Sequence, residues 1–372
     1  MHRPRSTRAR RVGLAAGAIT VALAALAVPA SAQPGAPGAV YTSTNSPAGN
    51  AVVAFDRAAN GSLTPGGSFA TGGTGTGGGL GNQGAVVLSD DHRLLFAVNA
   101  GSNQITSFEV TPHGLRGADL VASGGVEPVS VTVHGRLLYA LNGGGDGNIA
   151  GFTVGRDGQL APLSGSIRPL SAAGAGPAEV SFNTDGSKLV VTEKATGKID
   201  TYAVGADGRA SGPVVGDSVG PTPFGFAFDK RDHVIVSEAF GGAAGQSALS
   251  SYNVATEGAL ETISPSVHTG QSAACWVVTT DNGRFVYSSN TGSGNISAYE
   301  VGHDGSLTLL AGGVSALTGA SPTDLAVSEN NLFVLNSGAH TIGAYRVQHD
   351  GRLVPVDVAG ALPGGATGLA AS

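Results

Sequence analysis

The chain reads as one hydrophobic–polar pattern repeated seven times. An apolar run closes on Asn or Glu, a short polar turn follows, and a second run then alternates apolar and polar positions around an aromatic ring. The first runs are VYTSTN ending at Asn45, LLFAVN at Asn99, LLYALN at Asn142, KLVVTE at Glu193, VIVSE at Glu238, FVYSSN at Asn290 and LFVLN at Asn336. Their ends lie 43 to 54 residues apart, the length of a four-stranded antiparallel blade. The second runs centre on Phe55, Phe108, Phe152, Tyr202, Tyr252, Tyr299 and Tyr345. Residues two apart share one face of a strand, so these rings are expected to stack between blades. Each second run leads into a turn that ends in Gly: Asn60-Gly61, His113-Gly114, Asp157-Gly158, Asp207-Gly208, Glu257-Gly258, Asp304-Gly305 and Asp350-Gly351. Gly there supplies the positive φ that tight hairpins need.

A further short apolar strand precedes each first run: GAVVLS, VSVTV, AEVSF, FGFAF, ACWVV and TDLAV, with TGLAAS at the end of the chain. The first blade lacks such a strand before Asn45, and Thr367 to Ser372 is expected to supply it. The pattern thus predicts an all-β, seven-bladed β-propeller. Its first blade is shared between residues 40–70 and 365–372. Closing the ring in this way removes open sheet edges. An open solenoid or a pair of sandwiches gives no reason to split one repeat across both ends. The Gly-rich stretch Gly72 to Gly84 lacks the GK[ST] ending of a phosphate loop and is expected to be a flexible connection.

Composition narrows this picture. The 372 residues are 41 % hydrophobic and 12 % charged, which supports a large core and argues against disorder. The 60 glycines follow no collagen period and belong to turns. A net charge of −6, with no basic stripe beyond the first dozen residues, excludes nucleic acid as an expected partner. The single Cys275 forms no internal disulfide. Residues 1–32 read as a signal peptide. Arg3, Arg5, Arg8, Arg10 and Arg11 precede an apolar Val12–Val28 run and small residues at Ala30 and Ala32. The Arg10-Arg11 pair leaves both an ordinary secretory and a twin-arginine route open. Residues 33–372 are then one exported domain, without a later membrane-spanning run and expected to be monomeric.

The segment GPAEVSFNTDGSKLVVTEKATGKIDTYAV, residues 176 to 204, carries a resemblance within this repeat. It is similar to the seven-bladed lactonase family, which includes the propeller type of 6-phosphogluconolactonase and carboxymuconate cyclase. The repeats also resemble the YVTN type, and the WD dipeptide of another seven-bladed class is absent. The resemblance implies an extracytoplasmic hydrolase of a sugar lactone or related cyclic ester, with His and Arg at the channel mouth. Aligning the blades places Ala85, Ser130, Glu179, Gly225, Cys275, Asp324 and Gly368 on the channel. Glu179 stands where the family has its His, Ala178 where it has the neighbouring Arg, and Glu193 is retained.

The candidate catalytic residues are accordingly Glu193 and Glu179. Ser130, Cys275, Asp324 and Glu238 are candidate substrate-binding positions on the channel. A ring of carboxylates suits Ca²⁺ or Mg²⁺ at an acidic mouth, whereas no HxH or HExxH spacing supports zinc. Each candidate has a plainer reading beside it. Glu193 and Glu238 stand where other blades have Asn, and so serve equally as turn acceptors. Cys275 reads equally as a small buried residue. His92, His113, His134, His233, His303, His340 and His349 fall in or beside turns at the rim, while His268 lies in a connection between blades and is the least explained. The alternative function is a non-catalytic propeller that binds a protein, a glycan or a cell-wall ligand, because fold alone does not choose between the two.

Overall fold

The computed structural model describes residues 1–2 and 37–372, so the apolar run and cleavage site of the expected leader lie outside the described residues. The described chain forms seven antiparallel sheets arranged as the blades of a propeller. Blade four shows the plan. Its inner strand Pro177–Phe182 is followed by Lys188–Glu193, Lys198–Val204 and the outer Ala210–Asp217, paired in that order. In blades three and six the outer edge is split, into Leu160–Pro162 with Arg168–Pro169 and Leu307–Leu309 with Ala316–Leu317.

The seven predicted rings are each at most 5 % exposed and lie between the sheets. The seven turn glycines have φ between 79° and 102°, the region that L side chains avoid. These turns also join the blades. The Gly158 carbonyl accepts a hydrogen bond from Ser107 Oγ at 2.7 Å, and the Gly208 carbonyl accepts one from the Tyr139 hydroxyl at 2.9 Å. The carbonyls of Gly258, Gly305 and Gly351 are held in the same way by Thr201, Ser251 and Tyr287. At Gly351 even a methyl group is excluded, since its carbon would lie 2.7 Å from the Phe285 ring.

The ring closes as expected. Thr367–Ala371 pairs antiparallel with Gly38–Ser43, Val40 facing Ala371 and Tyr41 facing Ala370. The Ser372 N–H donates to the Ala39 carbonyl at 2.9 Å, and the Ala39 N–H donates to Ser372 Oγ at 3.1 Å. Arg57, 1 % exposed, donates from Nε to the Ser372 main-chain oxygen at 2.8 Å and from Nη1 to Glu329 of blade seven at 3.3 Å. One guanidinium therefore ties three segments at the seam.

The first blade departs from the repeat by one residue. Val40 faces Phe55 as Leu95 faces Phe108, which puts Thr44, not Asn45, in the place held by Asn99. Asn45 is released from the repeat and serves another segment, described below.

Removing Thr367–Ser372 should lower the melting midpoint of the whole domain by roughly 10 °C or more. That figure takes ~1 kcal/mol per ladder bond and ~2 °C per kcal/mol for a chain of this size. Calorimetry that instead finds an unchanged main transition would show that the ring does not depend on this strand.

Candidate functional site

The inner strands run from a first face, where they begin, to a second face. Near their start the register slips: between Pro128 and Ser130, Pro177 and Glu179, Pro223 and Phe226, Ala274 and Val277, and Pro322 and Leu325. Each inner strand also pairs on one side only, so alternate N–H groups of its free edge need other acceptors. The channel residues provide them. Ser130 Oγ accepts the Val180 N–H at 3.2 Å, and Glu179 Oε2 accepts the Phe226 N–H at 2.7 Å. Asp324 accepts the N–H groups of Leu325 at 2.8 Å and Leu369 at 3.0 Å. Among the aligned channel positions, Ser130, Glu179 and Asp324 thus each join one blade to the next.

Gly225 has no side chain to offer, and Gln83 takes its part. Its Nε2 donates to the Val277 carbonyl at 2.7 Å, and its Oε1 accepts the Val277 N–H at 3.0 Å. A methyl carbon on Gly225 would lie 2.1 Å from that Oε1. Gln83 belongs to the Gly-rich stretch read from sequence as a flexible loop. That expectation is corrected: residues 80–84 cross the channel as a plug, held by blades on several sides. The Gln83 N–H donates to the Ala178 carbonyl at 3.0 Å, and the Gly84 carbonyl accepts the Val131 N–H at 2.9 Å. The Asn82 carbonyl accepts from the Trp276 indole at 2.5 Å, and the Asn82 side chain donates to the Val129 carbonyl. Lys194 Nζ donates to the Gly81 carbonyl. Asn45, freed from the repeat, accepts the Thr76 N–H at 3.0 Å and donates to the Gly78 carbonyl at 2.5 Å.

The plug separates two environments. On its first-face side Lys194 lies 4.8 Å from the centre of the Phe224 ring, which packs against Trp276. Burial lowers the Lys194 ammonium to about 8. Cys275 is buried there, and burial pushes its thiol up to about 11, so it is not a thiolate at neutral pH. On the second-face side a cavity of about 360 Å³ opens to solvent. Its floor is Gln83 and Glu179, and its walls include Ser181, Thr184, Phe228 and Thr279.

Burial raises the Glu179 carboxyl well above its ordinary value, and the charge of Asp324 adds to the effect. Its Oε2 accepts the Phe226 N–H, and its Oε1 has no hydrogen-bond partner among the described residues, so burial favours the neutral carboxyl. Burial likewise lifts Asp324 to about 7, although its oxygens accept main-chain bonds. The arrangement can therefore offer one acidic proton to a ligand entering from the second face.

Glu193 and Glu238 lie elsewhere, wholly buried between blades. Glu193 accepts the Ser171 N–H at 2.9 Å, the Ser171 hydroxyl and the Thr196 hydroxyl. Beside it, burial and the shared hydrogen bond with Glu193 raise Asp200 well above the carboxylate range. Glu238 accepts the Gly220 N–H at 2.8 Å and the hydroxyls of Ser250 and Ser266. Both act on the strand ends as Asn290 does in blade six, where its Nδ2 donates to Asn295 and Ser297. Among the described residues no group of three or more His, Cys, Asp or Glu side chains is placed to hold a metal ion. The carboxylates expected at an acidic mouth are dispersed and bonded within the fold, so they do not fit Ca²⁺ or Mg²⁺.

Residues 235–364 match the family model described as lactonase, seven-bladed β-propeller. Among solved structures the chain is similar to a periplasmic gluconolactonase of Pseudomonas aeruginosa, at 18 % identity over 89 % of this chain and 98 % of that one, with a TM-score of 0.69. It is also similar to a provisionally assigned 6-phosphogluconolactonase of Bacteroides fragilis, at 16 % identity over 92 % and 99 % of the two chains and a TM-score of 0.68. A protein from Lactobacillus plantarum matches at 18 % identity over 90 % and 99 %, with a TM-score of 0.71. No curated protein matches the chain in sequence. In fold, then, the chain is a seven-bladed propeller like these structures. In sequence, it matches the lactonase family model from within blade five through blade seven.

Gln83, Asn82 and Lys194 were not singled out from sequence. The available signals were an Asn-Gln pair inside a run of glycines, and a Gly at the one channel position facing it. Gly225→Ala should expel Gln83 and leave both polar groups of Val277 unpaired, at a cost of about 2–4 kcal/mol. Urea unfolding checks this; a neutral Gly225→Ala variant would contradict the pairing.

Proposed function

We propose that the chain hydrolyses a lactone or related cyclic ester, with Glu179 as proton donor in the second-face cavity. The observation that carries the reading is a buried carboxyl with one oxygen free of partners among the described residues, in the lining of a cavity open to solvent. The family match and the similarity in fold to a gluconolactonase support the reaction class. Water attacks the carbonyl carbon, the bond from that carbon to the ring oxygen breaks, and the leaving oxygen takes the Glu179 proton. The proton lost by the water returns to Glu179, so that one water is consumed and a hydroxy acid is released. Phe228, half-buried in the cavity wall, suits the carbon skeleton of such a ligand. Export rests on the basic and apolar leader and is part of the same proposal.

The second reading is a non-catalytic platform for a protein, glycan or cell-wall ligand. It is favoured by the plug across the channel and by the bonds that occupy Glu193, Glu238 and Asp324.

Purified protein tested against a panel of lactones, with and without EDTA, separates the two. Glu179→Gln should lose about 100-fold or more in kcat, the usual contribution of a general acid, while Glu193→Gln should lower stability instead. Because Glu179 acts protonated, activity should fall as pH rises through its raised pKa. Absence of turnover on every lactone, or full activity in Glu179→Gln, contradicts the assignment.

A further inference from the structure

Between blades two and three, on the second face, lies a groove of about 410 Å³. The turn Ser89–Leu94 forms one wall, and Gly135, Arg136 and Val154–Arg156 form the other. Three guanidinium groups border it, those of Arg93, Arg136 and Arg156. None of them forms an ion pair among the described residues, although the chain as a whole is acidic. Arg136 is fixed at the groove by its Nε bond to the Val154 carbonyl at 3.0 Å.

The groove also contains Asp90 and Asp91, and both are committed to the turns. Asp91 accepts the Ser89 hydroxyl at 2.7 Å and the Arg93 N–H at 3.1 Å; these bonds hold it below the usual carboxylate range. Asp90 accepts the Gly135 N–H at 3.2 Å. The arginines thus outnumber the acids, and although the Arg93 charge also helps to lower Asp91, the hydrogen bonds of both acids go to the turns.

The pseudo-symmetry of the ring supplies an internal comparison. The same groove recurs between blades six and seven, about 330 Å³, with the same backbone frame. There the Val347 N–H donates to the Asn330 carbonyl, as the Val154 N–H does to the Arg136 carbonyl. Yet Asn330 and His349 stand in place of Arg136 and Arg156, and Glu329 in place of Gly135. The arginine equivalent to Arg93 is Arg284, which is bonded to Glu300 at 3.1 Å and to the His349 carbonyl at 3.0 Å. One scaffold therefore carries three unpaired guanidiniums at one junction and none at the other, so the geometry of the repeat does not require them.

We infer that the groove between blades two and three binds a divalent oxyanion, a phosphoryl or sulfuryl group carried on a small molecule. Guanidinium forks match the geometry of such groups with paired hydrogen bonds. Three guanidiniums against the two carboxylates of Asp90 and Asp91 leave a positive excess around one cavity. The site is independent of the lactone reading and does not involve Glu179.

The test is calorimetric titration with inorganic pyrophosphate at low ionic strength. The expected result is saturable binding that weakens with added salt. Arg136→Gln and the Arg93→Gln/Arg156→Gln pair should each weaken it about tenfold or more, while Arg284→Gln leaves it unchanged. All these side chains are exposed except where noted, and unchanged melting midpoints confirm that the variants fold. No saturable binding, equal loss in Arg284→Gln, or binding only to phosphatidylglycerol vesicles and not to soluble pyrophosphate would each overturn the inference.

Discussion

A propeller's inner strands crowd around one axis, and here most of them bulge where they begin. Each inner strand pairs on one side only and turns alternate main-chain N–H groups toward the axis. Satisfying those few groups organises the centre of this molecule. Ser130, Glu179 and Asp324 each reach across to the next blade for this purpose, and Gln83 does so on behalf of Gly225. An unpaired buried N–H costs ~1–3 kcal/mol. The polar residues of the channel are thus bound first to structure, and only capacity left over is open to chemistry. Glu179 retains such capacity in Oε1, whereas Asp324 spends both oxygens on main-chain donors.

The same constraint explains the plug. A chain segment of small residues can enter a narrow channel and present carbonyl and amide groups in several directions at once. Glycine permits the close approach, and the Asn-Gln pair supplies side-chain donors and acceptors. Once seated, the segment separates a packed first-face cluster of Lys194, Phe224 and Trp276 from the second-face cavity lined by Glu179. A ligand from the second face meets the Glu179 carboxyl, raised by burial, whereas one from the first face meets a lysine and the plug itself.

The fold was legible because the repeat is made of features that sequence displays directly: period-2 alternation, an aromatic at a fixed place, and Gly after a polar residue at every hairpin. The closing strand was legible because one blade was visibly short of an inner strand. The site was legible only in part. Channel positions followed from alignment of the blades, but their partners did not, since Gln83 and Val277 lie far apart in the chain and nothing local joins them. The Gly-rich segment carries no hydrophobic period, so its order comes wholly from tertiary contacts. Glu193 and Glu238 were ambiguous because a strand-end acceptor and a catalytic carboxylate look alike until the bonds around them are known. Asn45 misled by one residue, since register and not residue type decides which side chain serves the repeat.

The central claim is that the channel is closed by residues 80–84 bonded into the ring. Hydrogen exchange on the amides of Gln83, Phe226 and Val277 tests it directly. The account predicts that all three exchange slowly and together, with protection comparable to that of the inner strands. Rapid exchange of Gln83 and Val277 while the strands stay protected would contradict it.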